Sequence, residues 1–110
     1  MAVEVFDVPV WWRPAVHAFV SRAYPLGQDL DVQITSWQRT RSHNREVGGV
    51  DASQHLLATA WDVAGPQQGV YATRARAAGL VVVDEGDHVH VQLYRGGLVP
   101  GWVFDQVARA

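Results

Sequence analysis

The 110-residue chain has no cysteine. That excludes a disulfide framework, a thiolate nucleophile and a sulfur-liganded metal, so any bound ion must be held by nitrogen and oxygen. Lysine is missing too, since all nine cationic side chains are arginine. Schiff-base chemistry and the lysine of a phosphate-binding loop fall away, and nucleotide hydrolysis with them. A formal net charge of −2 gives no basic footprint for nucleic acid. Nothing approaches the roughly 20 consecutive apolar residues needed to span a bilayer. The first residues, MAVEVFDVPVWWRP, lack the basic start and unbroken apolar core of a secretory signal. These absences predict a complete cytosolic product with neither nucleic acid nor membrane as partner. What is present is a globular composition, 48% apolar and 18% charged, sized for one domain with a modest core, and five histidines.

No internal repeat or linker-like stretch divides the chain. Residues 13–23 carry Pro14 near a first turn and place Val16, Phe19 and Val20 on one face, which predicts a short amphipathic helix ending before Pro25 and Gly27. Residues 31–37 (DVQITSW) alternate as a strand does. Residues 39–53, rich in arginine, glycine and small polar side chains, read as a structured loop. A second strand is expected over 58–63, closed by Gly65-Pro66, and a helix over 69–78, stopped by Gly79. Two further strands, 80–83 and 88–94, flank the acidic turn Asp84-Glu85-Gly86-Asp87 and read as a hairpin. Residues 99–108 read as a C-terminal segment packing Trp102 and Phe104. Helices with hairpin-linked strands predict a single α+β domain, a small antiparallel sheet flanked by helices.

Polar groups that a small valine-rich domain has little reason to bury concentrate at 39–44, 53–62 and 84–90. On a strand, His88 and His90 face the same side, about 7 Å apart between Cα atoms, and both can address one centre. They also read as an exposed polar face opposite buried Val89 and Val91. His55 and Asp62 are seven apart, which means about 10 Å of rise on a helix and more than about 20 Å on a straight strand. They can share an ion only if the chain bends between them. Taken singly, they read as a loop histidine and a strand-end cap.

The stretch ITSWQRTRSHNREVGGVDASQHLLATAWDV, followed by DHVHVQL, resembles the zinc D-Ala-D-Ala carboxypeptidases and related peptidoglycan peptidases of the M15 family, whose fold also serves the hedgehog signalling domain. The residues that carry the likeness are Ser36, Arg39, His43-Asn44, Val47-Gly48-Gly49, Ser53, His55, Ala60, Asp62, His88 and His90, in the family's order. The resemblance implies zinc as cofactor, with His55, Asp62 and His90 as ligands and a fourth position left for water or substrate. It implies an acidic general base shortly before the third ligand, with Asp87 first and Glu85 second. Arg39 matches an arginine that stabilises the oxyanion or binds a substrate carboxylate. His88 matches a histidine beside the metal, and Ser53 a serine that contacts the substrate's terminal carboxylate. His43 with Asn44 organises the loop, and His17 has no evident partner.

Two positions depart from the family pattern. Ala58 and Trp37 stand where relatives carry glycine. If position 58 needs a positive φ, the convergence of His55 and Asp62 is in doubt. Trp37 and Trp61 can wall a cleft or sit in the core. The resemblance implies hydrolysis of a bond in the peptidoglycan stem peptide, by a phage lysis or virion-associated enzyme held in the cytoplasm until release, or by a domain of a larger bacterial system. Two rival readings stand beside it. One is a non-catalytic zinc-binding structural or virion domain. The other is a closed site with His88 as fourth ligand.

Overall fold

The structure, a computed structural model, describes residues 8, 10–38, 45–48 and 54–95. The reading of residues 99–108 and most of the 39–53 loop, including Arg39, His43, Asn44 and Ser53, lie outside the described residues. Helix α1 spans Arg13–Ala23 and α2 spans Gln68–Ala77. The strands are β1 (Gln33–Ser36), β2 (Ala60–Ala64), β3 (Val81–Asp84) and β4 (Val89–Gln92). They form one antiparallel sheet in the order β1-β2-β4-β3. Short 3-10 turns occupy Val10–Trp12, Pro25–Gly27 and Gln54–Leu57. No described helix is long and apolar enough to cross a membrane. The expected α+β class is the one observed.

Helix α1 has the predicted bounds and buries Val16, Phe19 and Ala23. Helix α2 is closed by Gly79 at φ +83°, where Gly79 N donates to Arg76 O and Leu80 N to Ala75 O, each at 3.0 Å. Only a residue content in the left-handed region closes a helix in this way. The acidic hairpin turn is present, with Gly86 at φ +87° and its N–H donating to Asp84 Oδ1 at 2.9 Å.

Strand β1 is shorter than the alternation predicts. Asp31 N donates to Gln67 Oε1 at 2.7 Å, and Asp31 O accepts from Gln67 N at 3.3 Å, so this residue is tied to the chain entering α2. The crossing is tight at Gly65, where an added Cβ would stand 2.5 Å from Asp31 O. The ladder to β2 slips between Ile34 and Ser36, a bulge that redirects the chain before Trp37. Strand β2 begins at Ala60, two residues late, because Ala58 and Thr59 are spent in a turn.

The main core lies on one face of the sheet. Phe19 and Ala23 from α1 and Tyr71 from α2 pack on Trp61 and Val63 of β2 and on Val91 of β4. Trp61 is fully buried and belongs to this core. Its Nε1 donates to Tyr71 Oη, which donates to Ala23 O, both at 3.0 Å. Burial pushes the Tyr71 phenol up to about 12. A second cluster of Val8, Trp12, Val16, Leu57 and Ala58 packs the start of α1 against the Gln54–Leu57 turn. Because side chains alternate along a strand, the odd-numbered residues of β2 and β4 turn to the helices and Asp62, His90 and Gln92 turn away from them.

Candidate metal centre

Asp62 and His90 are directly opposite across β2 and β4. His55 comes from the 3-10 turn, which Trp12 holds from behind through Nε1 donating to Leu57 O at 3.2 Å. The bend between His55 and Asp62 that the sequence requires is made at Ala58, which has φ +59°. The position does need a left-handed backbone, alanine adopts it, and the two side chains converge. Trp37 Nε1 donates to Ala58 O at 3.0 Å and braces the turn. The Trp37 ring, partly buried, packs edge-on against Trp61 with centroids 5.7 Å apart.

His55 Nε2, Asp62 Oδ1 and His90 Nδ1 form a triangle with all three edges 3.2 Å. Both nitrogens point lone pairs into it. His55 Nδ1 lies 2.6 Å from Trp37 O, and a carbonyl only accepts, so that nitrogen carries the proton and Nε2 does not. His90 Nε2 lies 2.7 Å from Gln92 Oε1, which leaves Nδ1 as the bare nitrogen. Donors about 2.0–2.1 Å from a zinc ion at tetrahedral angles lie about 3.3–3.4 Å apart. The observed edges fit that spacing within about 0.2 Å. His55 and Asp62 are only 1% and 5% exposed. A carboxylate facing two bare nitrogens in so dry a place calls for a cation. Among the described residues, these three form the one group of such side chains whose donor atoms converge.

Residues 20–92 match the model of the family described as Peptidase M15. The chain belongs to the M15 peptidase family. No curated protein and no solved structure matches it. The matched stretch encloses all three converging residues, and the family makes this a metallopeptidase domain.

Around the triangle of this M15 domain, His88 stands at the rim, with Nε2 3.9 Å from Asp62 Oδ1. It is not one of the converging donors. Its Nδ1 is 2.6 Å from Asp87 Oδ1, and the Asp87 carboxylate is 89% exposed. Asp87 therefore touches the site through His88. Glu85 is exposed in the same turn, and its charge acts on His90. Burial opposes a charged His90, but hydrogen bonds to Asp62 and Gln92 and the charges of Asp62 and Glu85 outweigh it, so His90 titrates above the ordinary 6.5. His17 lies apart on α1, beside Val8, Arg13 and Val16. Arg39 and Ser53 fall outside the described residues.

Two partners of the site were not anticipated. Gln92 continues the alternation that sets His88 and His90 on one face, so its spacing was a usable signal. The Trp37 carbonyl had none, because every residue carries one.

Proposed function

We propose that this M15 domain is a zinc-dependent peptidase that hydrolyses a peptide bond of the peptidoglycan stem peptide, D-Ala-D-Ala or a neighbouring linkage. The observation that carries the reading is the 3.2 Å triangle of two bare imidazole nitrogens and one carboxylate oxygen. Such a donor set suits zinc better than calcium or magnesium, which prefer all-oxygen surroundings. When bound there by His55, Asp62 and His90, the ion supplies a lowered pKa for water and polarisation of the amide carbonyl.

The remaining chemistry belongs to the chain. Asp87 is the general base, and its bond to His88 Nδ1 makes the two a unit that takes a proton from water and returns it to the departing amine. With Nδ1–H donated to Asp87, His88 presents Nε2 to the site, where, once it carries the proton taken from water, it donates to the oxyanion. Glu85 is the alternative base. Arg39 adds a planar fork of donors for the oxyanion or a substrate carboxylate, and Ser53 a hydroxyl for that carboxylate.

The test is zinc content after purification without added metal, followed by hydrolysis of peptidoglycan and of a peptide ending in D-Ala-D-Ala. Stoichiometric zinc with cleavage of either substrate is expected. Zinc with no cleavage would leave a structural site and end the enzyme reading, and zinc retained by His55→Ala would end the ligand assignment.

A further inference from the structure

Beyond the three converging donors, one carbonyl gathers the supports of both histidines. Gln92 Nε2 donates to Tyr94 O at 2.6 Å, which turns Oε1 toward His90, where it accepts the Nε2 proton at 2.7 Å. The amide is thereby fixed in one sense, because its nitrogen cannot accept and its oxygen cannot donate. Gln54, the residue before His55, also donates from Nε2 to Tyr94 O. Its Oε1 accepts from Tyr94 N at 3.1 Å and from Thr59 Oγ1 at 3.2 Å. Gln54 is 4% exposed, and no described side-chain nitrogen or oxygen is left buried without a partner. The His55 turn and the His90 ring are thus referred to the same main-chain atom.

We infer that Gln92 is a positioning residue that sets the ring rotation and protonated nitrogen of His90, and that Gln54 holds the His55 turn to the same Tyr94 carbonyl. The physical reason is that an imidazole can turn about its Cβ–Cγ bond and carry its proton on either nitrogen. The acceptor at Gln92 removes both freedoms. A half-turn of the ring would put carbons where both nitrogens stand, and moving the proton to Nδ1 would set a bare Nε2 against Gln92 Oε1 and an N–H against Asp62 and His55. Support of this kind is worth about 10 to 100-fold in metal affinity at other sites.

The inference rests on the zinc reading of His55, Asp62 and His90, and the experiment separates the two. The zinc-loaded full chain, labelled with nitrogen-15, should show His90 coordinated through Nδ1 with a slowly exchanging Nε2 proton. If the wild-type chain binds no zinc, the metal reading fails. If zinc is bound but His90 coordinates through Nε2, only the role of Gln92 fails. Competition with a zinc chelator should then show Gln92→Leu weaker by about 10 to 100-fold. Gln92→Glu keeps the acceptor and should bind at least tenfold tighter than Gln92→Leu. Equal losses in the two variants would reflect packing alone and overturn the inference, as would no loss in either.

Discussion

His55 Nε2 and His90 Nδ1 stand 3.2 Å apart with their ring protons turned away from each other, toward Trp37 O and Gln92 Oε1. In the neutral state two lone pairs confront each other across a carboxylate. A proton or a metal ion relieves that, and the two compete for the same place.

The first prediction concerns pH. The His90 value in the folded chain lies above the ordinary 6.5. In metal-free protein its proton therefore contributes stability that is complete below the unfolded value and is lost as pH rises through the folded one. Zinc needs the ring neutral, so apparent zinc affinity should rise by about tenfold per pH unit in that window above 6.5 and level off beyond it. Thermal melts with and without zinc across this range should diverge as pH increases. Parallel curves would sink the competition.

A second prediction concerns charge. Asp62→Asn keeps the shape of the side chain but removes the one anion among the converging donors. Zinc affinity should fall by more than the roughly 100-fold upper range seen for outer supports. Metal-free protein should lose far less, because a buried charge is removed along with its partner's attraction. Chelator competition and denaturant melts of the metal-free form measure the two effects separately.

The third is set by Ala58, buried at φ +59°. A left-handed alanine costs about 1–2 kcal/mol. Glycine removes that cost but forfeits about 0.8 kcal/mol of methyl burial and some backbone entropy. Ala58→Gly should therefore lie within about 1 kcal/mol of wild type in denaturant melts. Ala58→Val adds both a β-branch at positive φ and bulk between Trp12 and Leu57, and should cost about 3 kcal/mol or more and lower the zinc content.

The fourth separates hydrolysis from binding. Asp87→Ala and His88→Ala should each lower kcat by about 10²- to 10⁴-fold with zinc content unchanged. The double variant should be little worse than the poorer single one, since the pair shares one hydrogen bond. Additive losses in steady-state assays would show independent roles. If Glu85→Ala produces the larger loss, the base is Glu85.

The helix at α1, the acidic hairpin and the shared face of His88 and His90 were legible because local periodicity and turn chemistry specify them. The edges of β1 and β2 were not. Asp31 looked like strand but is bonded to Gln67, 36 residues away, and Ala58 looked like strand but serves as the left-handed corner. His55 and Asp62 alone allowed no convergence on regular geometry. Their spacing became informative only beside the family resemblance, which named them as ligands and marked position 58, where relatives carry glycine, as the place where a positive φ would matter. The roles of Gln92 and of the Trp37 carbonyl depend on contacts made after the sheet is assembled, and composition carries no trace of a main-chain acceptor.

The separation of His55 and His90, 35 residues along the chain, also has a kinetic consequence. The ion's three holders meet only after β4 has docked on β2, so a chain still searching for that pairing offers no preformed grip. Bound metal then acts on the finished sheet. It lengthens the lifetime of the native state by slowing escape from it, while the pace at which the chain first finds its shape is set by the strands alone.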